Sequence, residues 1–283
     1  MPYFRLKATM PAVRAKPDRV VEHNRRMWDR LARAGIPYTR PVGRPPRSRD
    51  GMRRFMDPRG RLRGVKLDGA RVLALAAGGG WDAVIFAKLG ADVTLLDIST
   101  RQLRTVRELA KREQAGLRFV HGDMRDLSRF KPASFDVVWH CHSLVFVREA
   151  PRVIREVARV LAPGGTYLLS TMHPTTLRLY GTYRDGGWRP RTSYFDRGPV
   201  PHYTVEDATW DFGQTKVYAP TIEFGHTFET IVNSLSRSGL IVDGLWEFSP
   251  NPPNPNAEPG SDDHLELLFP AFIEVRARRP KET

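Results

Sequence analysis

Arg71-Val72-Leu73-Ala74-Leu75-Ala76-Ala77-Gly78-Gly79-Gly80 is a short apolar run that ends in three glycines, and residues 82–89 follow it with helical spacing. A buried strand that passes through a side-chain-poor turn into a helix offers backbone N–H groups to a ligand at close range. The same alternation continues downstream. Residues 92–96 read as a strand, 100–114 as a helix and 117–120 as a strand; 135–139 is a fourth strand, 152–161 a helix and 167–170 a fifth strand. Runs this apolar belong in a parallel sheet covered on both faces, and their order is that of β-α units.

Working outward from this core, the alternation stops after His173. Residues 174–224 hold ten of the 28 aromatic side chains, which marks an insertion. Beyond it, 228–238 reads as a helix ended by Gly239, 241–248 and 272–278 as strands, and 250–260 as a Pro/Asn-rich loop. On the N-terminal side, Val20, Met27, Leu31 and Ala34 recur at helical spacing and Gly35 follows as a stop, so 20–34 is an amphipathic helix. Residues 36–64, rich in Pro, Arg and Gly, read as a loop. The expected division is a basic arm and helix over 1–66, a ligand-binding core over 67–173, a substrate-side insertion or lid over 174–226, and a C-terminal part of the core sheet over 227–283.

Charge separates these regions. The chain of 283 residues has a formal net charge of +14, but residues 1–66 carry 19 Lys and Arg against 5 Asp and Glu, whereas the remainder carries 26 of each. A basic arm of this kind either attracts phosphates through counterion release or is a solvated arginine-rich surface. No apolar run reaches the length of a membrane-spanning helix, no secretory leader pattern opens the chain, and Cys141 is the single cysteine, so the expected compartment is the cytoplasm. His140 and His142 flank Cys141, but no nearby carboxylate pair completes a metal site, and none is expected.

The chemistry is concentrated at the ends of the first, second and fourth strands. Asp97 closes Val93-Thr94-Leu95-Leu96-Asp97, where a carboxylate can accept two hydrogen bonds from a ribose diol; this points to an adenosine cofactor without choosing among them. The choice comes from His121-Gly122-Asp123-Met124, Phe135-Asp136-Val137-Val138 and Leu161-Ala162-Pro163-Gly164-Gly165. With these motifs in this order and spacing, residues 68–172 resemble the class I S-adenosylmethionine-dependent methyltransferases, in particular their small-molecule group. The resemblance implies a Rossmann-like α/β fold, with a seven-stranded, mostly parallel sheet whose last strand is antiparallel. It implies S-adenosylmethionine as cofactor, held by Trp28, Ala76, Gly78, Gly80, Asp97, Ile98, Asp123, Met124 and His140. Asp123 accepts from the adenine amino group, Met124 packs along the ring, and the helix containing Trp28 closes over the site. The segment 161–165 is a structural turn.

Two positions depart from the family pattern: Ala74 stands where an acidic residue is usual, and Ala76 where the first glycine of the turn is usual. Methyl transfer from a sulfonium needs alignment and exclusion of water rather than a covalent intermediate. If the acceptor must lose a proton, His142 and His173, each just beyond a strand, are the candidate bases. Tyr180, Tyr203 and His226 are candidate acceptor contacts from the aromatic insertion. The leading expectation is a small organic acceptor. The competing readings are an RNA or tRNA acceptor held by the basic arm, a nicotinamide-dependent oxidoreductase, and a scaffold that binds cofactor without turnover.

Overall fold

The computed structural model describes residues 18–281. Five strands of the core follow the reading closely: β1 (Arg71–Leu75), β2 (Asp92–Asp97), β3 (Leu117–His121), β4 (Phe135–Cys141) and β5 (Leu161–Met172). Two short hairpins lie in the insertion, β6 (Tyr183–Arg184) with β7 (Gly187–Trp188), and β8 (Thr209–Asp211) with β9 (Lys216–Tyr218). The chain then returns to the main sheet with β10 (Ile241–Phe248) and β11 (Phe272–Arg278). The seven-stranded order is β10-β11-β5-β4-β1-β2-β3. The pairs from β3 through β5 are parallel, and only β11, inserted between β10 and β5, runs antiparallel to its neighbours. This is the doubly wound Rossmann-like architecture expected, with its last strand reversed. The order turns back between β1 and β4, so the crevice beyond their carboxyl ends is the place for a ligand.

Helices cover both faces. On one, α3 (Asp82–Lys88) and α4 (Thr100–Arg112) bury Val84, Ile85, Phe86, Val106 and Leu109 against Val72, Val93 and Leu95. On the other, α5 (Ala150–Val160) and α6 (Phe228–Arg237) bury Val153, Val157, Ile231 and Leu235 against Leu75, Leu169 and Val275. Each fully buried Leu or Val contributes roughly 1.5–3 kcal/mol relative to exposure, so these two layers dominate the stability of the core.

The N-terminal segment differs from the reading in one respect. Helix α1 (Arg19–Ala34) is present, capped by the Asp18 carboxylate on the N–H of Val20 and closed by Gly35 at φ +68°. Residues 36–64, however, are not a plain loop: they contain a 3-10 turn (Pro37–Thr39) and a helix, α2 (Arg49–Met56), capped by Ser48. Met52, Met56 and Leu62 join the core around Trp81 and Ile85. The arginines that obscured this pattern are engaged internally. Arg53 donates to the carbonyls of Leu62 and Val65, Arg49 to that of Leu89, and buried Arg61 is paired with buried Asp57 and Glu274. A second helix missed in the sequence, α7 (Asp262–Leu268), follows the Pro/Asn-rich loop and starts at the Ser261 cap. The segment 161–165 lies within β5, with Gly164 at φ +75°. Residues 1–17, the first part of the basic arm, lie outside the described residues. No helix among those described is long and apolar enough to cross a membrane.

Candidate active site at the strand ends

β1 delivers the glycine turn to the crevice. Ala76, at the position where a glycine is usual, has φ +47°, a left-handed conformation that disfavours any side chain, and its N–H is held by the Leu96 carbonyl at 2.7 Å. Gly78 has φ +60°, and a Cβ there would stand 2.6 Å from Gln102 Oε1; one on Gly79 would stand 2.0 Å from the Thr39 carbonyl oxygen. The segment carrying Tyr38 and Thr39 thus lies directly on the turn. Asp97, at the end of β2, is buried and accepts from the N–H of Ser99 (2.7 Å) and of Gly78 (3.1 Å). Burial pushes its pKa up to about 6 against these two donors, and the nearby Asp29 carboxylate pushes the same way. Each oxygen keeps a second lone pair for a ribose hydroxyl. Ile98, half-buried beside it, accepts from His121 Nε2 at 3.0 Å.

Asp123 sits beyond β3 and is held by Arg125, whose guanidinium spans both carboxylate oxygens (2.7–3.2 Å). Arg125 is itself buried and also pairs with Asp18 at the start of α1 (2.7 Å) and with Glu149 (3.0 Å). Met124 is buried in the core beside Leu96 and Leu144. Helix α1 is fastened at three further points: Asn24 bonds to Phe146 and Ile222, His23 to the Pro220 carbonyl, and Asp29 accepts from Ser99 Oγ at 2.6 Å. Trp28, on the same helix, packs edge-on against Phe146 and Trp210.

Three buried polar atoms near these strand ends lack a hydrogen-bond partner in the protein: Gln102 Oε1 beside Gly78, His140 Nε2 and Ser143 Oγ. Unsatisfied buried polar atoms cost free energy unless a ligand or water meets them. With the ribose-competent Asp97 and the open-sided turn, they form a donor and acceptor set that fits a polar nucleoside cofactor. His140 is fully buried, its Nδ1 bonded to the Tyr167 hydroxyl at 2.9 Å, and burial lowers its pKa to about 3, so it is a neutral ring.

His142, one step past β4, has φ +55°, which is strained for a branched-ring side chain and is stabilised by the His142 N–H to the Ser170 carbonyl at 2.8 Å. The residue is exposed, and desolvation, followed by the Arg61 and Arg59 guanidiniums, lowers its pKa to about 4. Phe272 meets the ring edge-on. The other two histidines are committed elsewhere. His173 Nδ1 accepts from the Thr175 N–H, which leaves Nε2–H to donate to Glu247 at 3.0 Å, fastening β5 to β10. His226 is buried, with Nε2 on the carbonyls of Leu144 and Val147.

On the insertion side, Tyr38 packs against Trp210 and Phe212 (6.1 and 5.5 Å between centroids), continuing the Trp28 cluster. Tyr180 donates to Glu266 at 3.2 Å. Tyr203 is 59% exposed and donates to the Arg191 carbonyl, over the Arg191–Asp207 pair. Sequence reasoning missed Tyr38 and Arg125. Arg125 was two residues from Asp123 and carried a signal in its charge; Tyr38 had none, because it reaches the glycine turn through a packing of distant segments. Two described concavities lie off the strand ends: one of about 440 Å3 lined by residues 53–66, including Arg54, Arg63 and Lys66, and one of about 190 Å3 between α1 and Arg125.

Comparison with known proteins agrees with this arrangement. A family model described as a methyltransferase domain matches residues 73–169. The chain is 34% identical over 185 residues to an uncharacterized methyltransferase, YbaJ, of Bacillus subtilis, covering 64% of this chain and 69% of that protein. It is 35% identical over 111 residues to a ubiquinone biosynthesis O-methyltransferase of Xanthomonas campestris, covering 39% of this chain and 46% of that one. The fold matches the crystal structure of an S-adenosylmethionine dependent methyltransferase from Mesorhizobium loti with a TM-score of 0.60 and 26% identity, over 82% of this chain and all of the other. Glycine turn, buried Asp97, strand order and these likenesses converge: the chain belongs to the class I S-adenosylmethionine-dependent methyltransferases.

Proposed function

We propose that this methyltransferase acts on a small organic acceptor seated between the strand ends and the aromatic insertion. The observation that carries the reading is the ring cluster of Trp28, Tyr38, Trp210 and Phe212, which joins the lid helix, the segment on the glycine turn and the β8–β9 hairpin. Planar side chains there supply apolar walls at little entropic cost and shut out water. Residues 174–226 act as the acceptor-side lid, and 67–173 as the cofactor core.

The bound S-adenosylmethionine supplies an electrophilic methyl group on a sulfonium. The residues of this chain hold and align. Asp97 accepts from the ribose diol, with Ile98 beside it, and Asp123 accepts at the adenine edge, with Met124 against the ring. Ala76, Gly78 and Gly80 admit the backbone-bound portion, Gln102, His140 and Ser143 meet its polar end, and Trp28 closes over it. His142, exposed just past β4, is the candidate proton acceptor; its ring is neutral at neutral pH but its lowered pKa makes it a weak base, suited to an acceptor whose proton is readily lost. His173 and His226 instead hold the frame around it, and Tyr180 contributes at the remote end of the acceptor space.

A nucleic-acid acceptor fits less well, because Arg49, Arg53, Arg59 and Arg61 are spent on carbonyls and carboxylates of the chain itself. The test is methyl transfer from radiolabelled S-adenosylmethionine to a panel of small phenols, amines and carboxylates, run beside bulk tRNA. Label in a small molecule supports the reading. Salt-sensitive labelling of tRNA alone overturns it in favour of the RNA acceptor.

A further inference from the structure

Part of the positive excess carried by residues 1–66 lines a cavity. Arg53, Arg54, Arg63 and Lys66 surround the concavity of about 440 Å3, together with Asp57, Gly60, Gly64 and Val65. That volume falls within the range of about 300–1,000 Å3 typical of small-molecule sites. The concavity is distinct from the cofactor turn: Val65 and Lys66 lead towards the amino end of β1, and the glycine turn leaves its carboxyl end.

The loop that forms it is held in shape from within. The buried Asp57 carboxylate accepts from the N–H groups of Arg61 (2.9 Å) and Leu62 (2.7 Å) and from the Arg61 guanidinium (2.7 Å). Backbone bonds from Gly60 to Asp57, from Arg63 to Gly60 and from Val65 to Leu62 close successive turns. Gly60 and Gly64 adopt φ +67° and +79°, and a Cβ on either would meet no atom within 4 Å, so at these two points bare backbone faces open space. Arg53 Nη2 donates to the carbonyls of Leu62 and Val65, which orients the guanidinium without neutralising it.

The charges around the cavity are not balanced. Asp57 and Glu274 are matched by Arg59 and Arg61, so that inner cluster is neutral. Arg54, Arg63 and Lys66 are exposed, and among the described residues no hydrogen bond or ion pair engages their side chains. Of the neighbouring acids, Asp68 pairs with Arg49 at 3.8 Å, and Asp50, one turn before Arg54, makes no ion pair with it. Four cations therefore share one concavity without a counter-charge. A lining of one sign focuses the field on an anion, and a phosphate answers it best, because its oxygens match the fork of a guanidinium and it carries more than one negative charge. Independently of the small-acceptor reading, we propose that this concavity binds a phosphate-bearing small molecule at a site separate from the methyl-transfer crevice, with Arg53, Arg54, Arg63 and Lys66 as its ligands.

The experiment is calorimetric titration of the full chain with inorganic pyrophosphate, malonate and bulk tRNA in metal-free buffer at about 150 mM salt, where long-range attraction is screened. The expected result is saturable binding of pyrophosphate, at least tenfold tighter than that of malonate and unchanged when the crevice is saturated with S-adenosylhomocysteine. Arg54→Gln, Arg63→Gln and Lys66→Gln should each weaken it a few fold and together at least tenfold, with S-adenosylhomocysteine affinity and melting temperature unchanged. No saturable binding of pyrophosphate, or binding that survives the triple substitution, overturns the site. Equal binding of malonate overturns the phosphate assignment, and loss of pyrophosphate binding on saturation with S-adenosylhomocysteine places the anion in the crevice and overturns a separate site. Binding of tRNA alone, abolished by the triple substitution, overturns the small ligand in favour of nucleic acid. All of these outcomes leave the small-acceptor reading to its own test, the methyl-transfer panel.

Discussion

The cofactor half and the acceptor half of this crevice are built by different rules. In the cofactor half the key groups are set by their own strand ends: Asp97 is oriented by the N–H groups of Ser99, two residues away, and of Gly78, on the neighbouring strand's turn. In the acceptor half the groups come together from afar, Tyr38 onto Phe212, Tyr180 onto Glu266, Asn24 onto Ile222. The first half is thus local, and the second depends on how α1, residues 36–40 and the insertion pack together. The two meet closely where the Thr39 carbonyl lies on Gly79.

Breaking that contact should have the largest effect. Gly79→Ala places a methyl group 2.0 Å from the Thr39 oxygen, so residues 36–40 must leave the turn. The expected outcome is a loss of about 2 kcal/mol or more in stability, the scale of overpacking, together with rapid proteolysis near residues 36–48 and weakened cofactor binding. Unchanged melting temperature and proteolysis would show that the two halves are not joined there.

Asp97 tests the local half. Asp97→Ala removes the carboxylate proposed to accept from the ribose and should weaken S-adenosylmethionine at least tenfold by calorimetry, about 1.4 kcal/mol. The wild type carries its own pH signature. With a pKa raised to about 6, Asp97 is anionic above that value and protonates below it, so cofactor affinity should be flat from pH 7 to 8 and fall as pH drops through 6. The sign for folding is opposite: a carboxyl whose folded pKa lies above its unfolded one favours the folded state increasingly as pH falls from about 6 towards 3.8. Binding and stability curves that move together would contradict this assignment.

The lid is expected to respond more mildly. Asp18 both caps α1 and pairs with Arg125, and Asp18→Ala removes both, for about 1 kcal/mol of cap energy. Release of S-adenosylhomocysteine in stopped-flow fluorescence should accelerate several fold; an unaltered rate would mean that α1 does not gate the adenine side. The smallest effect should come from Ala76→Gly. It relieves the left-handed conformation at a residue with a Cβ and offsets part of that gain through the unfolded chain, for a net stabilisation of about 0.5 kcal/mol.

Legibility followed the same division. Strands β1 to β4, the pattern of helices α3 to α5 and the strand-end positions of Asp97 and Asp123 were readable because a parallel sheet imposes long apolar runs whose ends are marked by polar residues. Helix α2 was hidden by its arginines, of which Arg49 and Arg53 find their partners in other segments, and α7 by the Pro and Asn that precede it. The three candidate histidines looked alike in the sequence, each just past an apolar stretch. Only their surroundings separate His142, exposed just past β4, from His173 on Glu247 and His226 on two backbone carbonyls.

What the sequence by itself determined is the sheet, its reversed last strand through the resemblance it carries, and the cofactor class, since apolar periodicity and strand-end polar residues are properties of contiguous residues. The tertiary structure alone decided which arginines are internal, which histidines are committed to partners, and that Tyr38 packs on Trp210 and Phe212. Those facts depend on desolvation and on partners more than 100 residues apart, and neither is written in any local stretch of the chain.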